Sequence, residues 1–372
     1  MPAGEGAQRE AKRRFVVDAL ERIGKLRDVE VDACAPSARS LGYRNKIELS
    51  FAEREGRPIV GYHEAENPAL VIDVEACALA DPRFQAPLAI VRACLADGRL
   101  RPRQGRLVLR ASGSGADVLV GFRDGGEPFD EAETVAGALA GGVPTLRGVV
   151  RLVAPPGRRG GARVEAIRGE PWIGEEILGR SYRVPAGTFL QVNAAAAEEL
   201  ARYVLQQAGA PSKVTELYGG IGAIGAALAD RGAAATIVDA DKDAIACGEE
   251  AAARAGAGPV FVRSDVLRYL QSGPEVPDLV VADPPRTGFG PGVAEALAAL
   301  WPPRIALVSC DPATLARDAA GLTARGYRLE RVRPFDLFPQ TAHVEAVGWL
   351  TRGEAPRRPP REASRRRASG SR

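Results

Sequence analysis

The chain has 372 residues, of which 45% are hydrophobic, and carries a formal net charge of +3. This length exceeds one average domain, so we expect at least two domains with a substantial core. No uninterrupted run of 18 apolar residues occurs, and the polar start lacks a signal-type apolar segment, which argues against a membrane protein. Five scattered cysteines without a CxxC pair favour a reducing, cytoplasmic location over a disulfide-stabilised fold.

The first half of the chain mixes strand and helix patterns. Apolar residues recur at helical spacing over 8–24, which predicts an N-terminal helix within residues 1–25. Residues 26–188 follow, with a helix predicted over 81–97 and a short one over 135–139. We expect strands over 46–51, 59–62, 69–74, 106–111, 117–122 and 148–153. The pattern predicts an α+β domain with an antiparallel sheet.

The second half, residues 189–351, alternates strands and helices. Strands are predicted over 214–217, 235–238, 259–262, 279–282, 305–308 and 344–350, and helices over 194–207, 224–231, 242–255, 291–300 and 312–325. This alternation is typical of a doubly wound, Rossmann-like α/β sheet. A strand candidate over 328–332 precedes the last strand without a helix between them, so the last strand should be antiparallel. Residues 352–372 carry eight Arg and lack apolar periodicity, which predicts a disordered basic tail.

A glycine loop follows the strand at 214–217. The sequence GGIGAIG places glycines at 219, 222 and 225, where a backbone with positive φ could approach a ligand. Asp239 ends the next strand and could accept hydrogen bonds from ribose hydroxyls. Binding of an adenosine-type cofactor and a purely structural turn both remain open at this point.

The stretch around Cys310 joins a short apolar strand to a helix. Asp311 and Pro312 form a helix-start signal, so Cys310 should lie at the carboxyl end of a strand, where α/β sheets bind ligands. The helix N-terminus favours a thiolate and Asp311 opposes it. Cys310 is therefore a candidate nucleophile, and the alternative is a buried structural cysteine.

Two further stretches place charged groups beside predicted strands. In DPPR, two prolines would hold Asp283 and Arg286 over the sheet edge, although a simple turn with a solvated charge pair would look the same. Glu345 begins a buried strand. Because burying a carboxylate is costly, Glu345 should have either a hydrogen-bonding partner or a functional role. His343 shares its face and is better explained as an orienting residue than as a metal ligand, and no metal site is predicted.

Five motifs in this order resemble the S-adenosylmethionine-dependent RNA uracil-C5 methyltransferases, which make 5-methyluridine. The resemblance rests on FLQVN (189–193), ELYGGIG (216–222), DPPR (283–286), SCDPAT (309–314) and FPQTAHVE (338–345). Gly219 replaces the family's usual Cys, Asp311 replaces Asn, and Asp239 replaces Glu. Weaker similarity covers GYRNK (42–46), GYH (61–63) and VEAC (74–77).

The resemblance implies a mechanism and a set of site residues. Cys310 would add to uracil C6 and Glu345 would remove the C5 proton. S-adenosylmethionine would be bound by Gln191, Tyr218, Gly220, Gly222, Asp239, Asp265 and Asp283. The RNA substrate would be bound by Arg44, Lys46, Arg286 and His343, with residues 26–188 as an RNA-contacting domain. The resemblance favours rRNA over tRNA as the substrate, with no DNA or membrane partner and a monomeric enzyme.

Many members of this family carry an N-terminal TRAM domain and a [4Fe–4S] cluster. Cys77 resembles the fourth cluster ligand, but the three-cysteine motif and the TRAM domain are missing from this sequence. Such clusters need four thiolates, so we expect no iron–sulfur cluster. Two alternatives stay open: a non-catalytic RNA-binding protein that retains the fold, and a methyltransferase that acts on another substrate.

Overall fold

A computed structural model describes residues 4–101, 104–154 and 162–353. Most of the predicted basic tail lies outside the described residues. Within them, no helix is both long and apolar enough to cross a membrane.

The described residues of the first half form three α-helices and ten strands. In chain order these are α1 (Glu5–Arg22), β1 (Glu30–Val31), β2 (Lys46–Arg54), β3 (Arg57–His63), β4 (Val71–Asp73), a 3-10 helix (Pro82–Phe84), α2 (Gln85–Ala96), β5 (Arg106–Ala111), β6 (Val118–Asp124), α3 (Ala132–Gly142), β7 (Leu146–Val153), β8 (Arg163–Gly169), β9 (Trp172–Ile177) and β10 (Arg180–Pro185).

The second half alternates as predicted. Its elements are α4 (Ala194–Ala208), β11 (Lys213–Leu217), α5 (Ala223–Ala229), β12 (Ala234–Asp239), α6 (Lys242–Ala255), β13 (Val260–Arg263), α7 (Val266–Gln271), β14 (Leu279–Ala282), α8 (Val293–Leu300), β15 (Arg304–Ser309), α9 (Pro312–Thr323), β16 (Tyr327–Phe335) and β17 (Glu345–Arg352). The sequence did not predict α7, which has only six residues.

A seven-stranded sheet, in the order β4-β3-β2-β5-β6-β7-β8, organises the first domain. Neighbouring strands of this sheet are antiparallel except for β6 and β7, which are parallel. Helix α3 carries the chain between these two strands, and such a crossover allows a parallel pair. Leu49, Leu109 and Val120 pack with Val91 of α2 and Leu139 of α3 to form the core.

An eight-stranded sheet, in the order β1-β16-β17-β15-β14-β11-β12-β13, forms the second domain. Strands β11 to β15 are parallel, whereas β17 runs antiparallel to both β15 and β16. The antiparallel last strand was predicted. Because parallel strands end at one edge of a sheet, the loops after β11, β12, β14 and β15 converge there.

The N-terminal segment belongs to the second sheet. Strand β1 pairs in parallel with β16, and Val16 and Leu20 of α1 share a core with Leu315 of α9. The sequence instead assigned residues 26–35 to the first domain. A two-residue edge strand has too little pattern to be recognised, and only its pairing partner reveals its place.

Strands β9 and β10 form a separate two-stranded hairpin. Tyr182 and Val184 pack against Ala244 and Cys247 of α6, so the hairpin rests on the second domain. The sequence analysis did not predict these strands. The hairpin leads directly into the segment that precedes α4, where the two domains meet.

Candidate active site

The loop between β11 and α5 is shaped by its glycines. Tyr218, Gly220 and Gly222 have left-handed φ values of 56°, 56° and 75°. A Cβ on Gly222 would lie 2.2 Å from Ile237 Cδ1, whereas a Cβ on Gly220 would meet no atom within 4 Å. Gly222 is therefore required for packing, and the open side of Gly220 is where a ligand could approach the backbone.

Replacing Gly222 with Ala should destabilise the protein. The clash and the left-handed backbone together should cost about 1–3 kcal/mol of unfolding free energy and reduce cofactor affinity. Urea unfolding and calorimetric titration with S-adenosylmethionine would measure both quantities. Gly137→Ala is the matched control, because Gly137 lies within helix α3 and has open space at its Cβ position. Equal effects of the two substitutions would contradict this account of the loop.

The charges of Asp239 and Asp265 both act on Tyr218. Asp239 accepts hydrogen bonds from Gly220 N at 2.8 Å and from Asp241 N at 2.7 Å, and a carboxylate retains further lone pairs for ribose hydroxyls. Asp265 caps α7. Burial and then the charges of Asp265, Asp318 and Asp239 raise the pKa of Tyr218 to about 12.

The tyrosine ring also stacks near Phe289, with centroids 6.4 Å apart and planes 21° apart. Two aromatic rings and two acids thus border the glycine loop. An adenosine needs this combination of apolar surface for its base and acceptors for its ribose. Tyr218, Gly220, Gly222, Asp239 and Asp265 therefore form one group, and their chemistry fits S-adenosylmethionine.

Glu216 lies beneath the loop and was not predicted as a site residue. It is buried and accepts a hydrogen bond from Gly225 N at 2.7 Å. Burial raises the pKa of Glu216 to about 8. The hydrogen bond from Gly225 N lowers this pKa, whereas the charges of Asp283 and Asp239 raise it further. A Glu inside the apolar strand VTEL was the sequence signal that could have identified it.

Cys310 and Glu345 are neighbours across two antiparallel strands. Ser309 of β15 is paired with Ala346 of β17, and continuing this register by one residue brings Cys310 opposite Glu345. Cys310 is half-buried, and Glu345 is 2% exposed. Glu345 Oε2 has no hydrogen-bond partner among the described residues, which is uncommon for a buried carboxylate and marks a functional position.

The resting thiol of Cys310 is protonated at neutral pH. Burial raises the pKa of Cys310 to about 11, with a further upward contribution from Glu345 and a downward one from Arg286. The sequence predicted that the helix N-terminus favours a thiolate, and desolvation acts in the opposite direction. Asp311 caps α9 by accepting a hydrogen bond from Thr314 N at 2.9 Å. Arg286 is therefore the side chain that favours the thiolate.

The charge of Asp283 acts both on Glu345 and on Glu216 beneath the cofactor loop. Its side chain is accessible from the cleft, yet protein surrounds it closely enough that desolvation raises the pKa of Asp283 to about 6. Burial and then the charge of Asp283 raise the pKa of Glu345 well above its ordinary value, whereas Arg286 lowers it. Asp283 therefore links the cofactor loop to the pair formed by Cys310 and Glu345.

Removing the charge of Arg286 should shift the pH dependence of the reaction. Because Arg286 lowers the pKa of Cys310, Arg286→Gln should raise that pKa and move the acidic limb of the pH–rate profile to higher pH. The rate should fall by a similar factor at every pH well below the thiol pKa of about 11, because the thiolate fraction of each enzyme there depends only on the difference between pH and pKa. Single-turnover rates from pH 6 to 10 at saturating RNA would measure this loss. An unchanged rate at saturating RNA, with only weaker RNA affinity, would instead indicate that Arg286 only binds RNA.

The charge of Arg44, in the first domain, acts on His343. Burial, followed by the charges of Arg286 and Arg44, lowers the pKa of His343. The His343 ring contacts Phe338 edge-on, with centroids 5.9 Å apart. Arg286 acts on both Cys310 and His343, so its charge connects the candidate nucleophile to the segment that carries His343.

Lys46 pairs with a carboxylate of the first domain rather than with the candidate active-site residues. Its amine lies 3.0 Å from Glu48, and the other charges acting on it are those of Arg110 and Arg123. Lys46 lies within β2 and uses its charge inside the first domain. This pairing makes the predicted role of Lys46 in RNA binding less favourable.

Gln191 lies in the segment where the two domains meet. Its carbonyl is 3.5 Å from Asn45 Nδ2, and Val192 O accepts a hydrogen bond from Asn45 N at 2.8 Å. Asn193 caps α4 and also donates to Leu337 O at 2.9 Å. The predicted cofactor contact is therefore held between the first domain and the loop that leads to Glu345.

The residues present do not fit an iron–sulfur cluster. Among the described residues, no group of three or more His, Cys, Asp or Glu side chains is arranged to hold a metal ion. Cys34, Cys94 and Cys247 are buried in three different hydrophobic cores. They are therefore not positioned to join Cys77 around a shared cluster.

Comparisons with known proteins show which family this chain is similar to. A family model described as tRNA (Uracil-5-)-methyltransferase matches residues 275–353. An uncharacterised RNA methyltransferase of Thermosynechococcus vestitus is 31% identical, covering 92% of this chain and 78% of that protein. The 23S rRNA (uracil(1939)-C(5))-methyltransferase of Chromohalobacter salexigens is 34% identical, and the match covers 93% of this chain and 72% of that protein.

A solved structure has the same fold. The tRNA (uracil-54, C5)-methyltransferase of Pyrococcus abyssi, in complex with S-adenosyl-L-homocysteine, superposes with a TM-score of 0.74 at 23% identity, covering 94% of this chain and 84% of that one. The fold is that of an S-adenosylmethionine-dependent methyltransferase. Within that class, the chain belongs to the RNA uracil-C5 methyltransferase family. This membership argues against the non-catalytic alternative.

Proposed function

We propose that this enzyme methylates C5 of a uridine in ribosomal RNA through a covalent adduct between Cys310 Sγ and uracil C6. The observation that carries the proposal is the position of Cys310 opposite Glu345, whose buried Oε2 has no partner among the described residues. A nucleophile next to a carboxylate that has no hydrogen-bond partner is the arrangement that this reaction needs.

The first step is addition of the Cys310 thiolate to C6. The new S–C6 bond uses a sulfur electron pair, and the C5–C6 π electrons move onto C5 and the adjoining carbonyl. Because the thiol pKa is about 11, its proton must pass to solvent water before attack. Arg286 favours that ionisation through its charge and can also stabilise negative charge on the base.

S-adenosylmethionine supplies an electrophilic methyl group when it is bound beside the glycine loop. The role of Tyr218, Gly220, Asp239 and Asp265 is to hold the adenosine end, and we assign Gln191 and Asp283 to the remaining contacts with the cofactor or the uracil. The carboxylates of Asp239 and Asp283 favour a cationic ligand, since opposite charges attract strongly in a partly desolvated cleft.

The last step is removal of the C5 proton by Glu345. The C–H electron pair re-forms the C5–C6 double bond as the S–C6 bond breaks and the thiolate leaves. A raised pKa makes Glu345 a stronger base than an ordinary carboxylate once it is ionised. Its unpartnered Oε2 leaves one lone-pair direction free for this proton.

The RNA is proposed to contact the first domain through Arg44 and to place one uridine between the domains. A uridine within folded RNA must leave its stack, at a cost of a few kcal/mol. Guanidinium groups such as those of Arg44 and Arg286 bind phosphates well. We assign the first domain to RNA contact on this basis, and we propose a monomeric enzyme of the cytoplasm. The 23S rRNA relative makes rRNA the first substrate to test.

Transfer of a labelled methyl group to unmodified transcripts would test this function. The enzyme should place 5-methyluridine in 23S rRNA and leave tRNA transcripts unlabelled, as judged by nucleoside digestion and chromatography. Label in a nucleoside other than 5-methyluridine would contradict the reaction. Label in tRNA alone would overturn the choice of RNA while leaving the chemistry intact.

A further inference from the structure

We infer that Lys12 is a positioning residue for Glu345, acting through the segment 336–344, here called the base loop. This inference rests on the proposed role of Glu345 as the base. Lys12 lies on α1, more than 300 residues from the loop in sequence, and no motif described above contains it. Four observations support the assignment.

Lys12 is buried and has two partners in the base loop. Only 2% of the side chain is exposed, and Asp336 is 5% exposed. Lys12 Nζ lies 2.5 Å from Asp336 Oδ1 and donates to Phe338 O at 2.9 Å. A lysine this buried requires partners. Here both partners belong to the chain segment that runs toward Glu345.

Three consecutive carbonyls of the base loop are held by three different parts of the chain. Leu337 O accepts from Asn193 Nδ2 at 2.9 Å, and Pro339 O accepts from Tyr43 Oη at 3.0 Å. Phe338 O, which lies between them in the chain, accepts the hydrogen bond from Lys12 Nζ. Helix α1, the first domain and the cap of α4 therefore meet at this loop. Lys12 supplies the charged member of the three anchors.

Helix α1 also contacts the base loop through a second residue, Gln8. Gln8 lies one turn before Lys12 and so shares its helix face. Its amide nitrogen donates to Gln340 Oε1 at 2.9 Å, and its oxygen accepts from Gln340 N at 3.1 Å. Gln340 has a left-handed φ of 63°, a conformation that a non-glycine residue keeps only when its surroundings fix it.

These anchors hold the loop that joins Phe335 to Glu345, two residues that are paired across β16 and β17. Glu345 Oε2 has no partner of its own among the described residues, so its position depends on the backbone that enters the strand. A displacement of about 1 Å at a reacting group can cost about a hundredfold in rate.

The test removes both charges together, because a single substitution would leave a buried charge without a partner. The double variant Lys12→Met with Asp336→Asn should lose about tenfold to a hundredfold in turnover on uridine-containing RNA. Covalent trapping on 5-fluorouridine RNA should match the wild type, since trapping requires Cys310 but not proton removal. Hydrogen exchange should increase at amides 336–344 and remain unchanged in α5 and α6.

Arg14→Met is the matched control, because Arg14 lies on the same helix, is exposed and contacts Glu10 rather than the loop. Gln8→Ala is the second variant, in case the double variant does not fold, and should give the same pattern with a smaller loss. Wild-type turnover together with unchanged exchange at 336–344 would overturn the inference while leaving the proposed function intact. Absence of trapping by the wild type would refute the proposed mechanism, and exchange at 336–344 would still decide whether Lys12 holds the loop.

Discussion

Replacing Cys310 with Ala is expected to abolish methyl transfer to RNA. Loss of a covalent nucleophile typically lowers kcat by about 10⁶-fold, because no other group here can activate uracil C5. The cofactor loop lies on β11 and α5, not on β15, so affinity for S-adenosylmethionine should be unchanged. Single-turnover methylation and calorimetric titration of the same preparation would measure the two effects.

Cys77→Ala is the control for the Cys310 variant. Cys77 is the other half-buried free cysteine among the described residues, but it lies in the first domain, beside β4. Its substitution should leave methylation at the wild-type rate. Retention of activity in the Cys310 variant would exclude the covalent route. Loss of cofactor binding in that variant would show that the residue supports the fold rather than the chemistry.

Replacing Glu345 with Gln is expected to stall the enzyme after methyl transfer. The amide keeps the size of the side chain but cannot accept the C5 proton, so turnover should fall about 10²–10⁴-fold. The methylated RNA should then remain bonded to Cys310. Denaturing gels with natural, fluorine-free RNA would reveal this complex as a protein band of increased mass.

Formation of the adduct should not slow in the Glu345 variant. The charge of Glu345 raises the pKa of Cys310, so its removal should lower that pKa and make the thiolate easier to form near neutral pH. A Glu345→Gln enzyme that turns over normally would exclude this residue as the base. A variant that forms no adduct would show that Glu345 acts before methyl transfer rather than after it.

The sequence predicted most of the second domain because its strands are buried runs bounded by clear turn signals. Cys310 and Glu345 lie at the ends of such strands, so their approach follows from strand order and register. The pKa of Cys310 could not be predicted in this way. Its value depends on burial and on Arg286, both of which are properties of the assembled cleft.

Residues whose roles depend on distant partners could not be predicted. Lys12 looks like one more charge on a polar helix until its contact with Asp336 is seen. Conversely, Arg44 and Lys46 are two residues apart, yet Arg44 acts on His343 whereas Lys46 pairs with Glu48. The family resemblance implied a shared role in RNA binding, and the separate charge partners of the two side chains argue against it.

The most direct test of the central claim is the mass of the Cys310 peptide after reaction with 5-fluorouridine RNA and S-adenosylmethionine. Glu345 cannot abstract fluorine from C5, so the adduct should stop after methyl transfer. The account predicts a nucleotide carrying both fluorine and the new methyl group on Cys310 Sγ. An adduct on another residue, or one that persists in Cys310→Ala, would contradict the account.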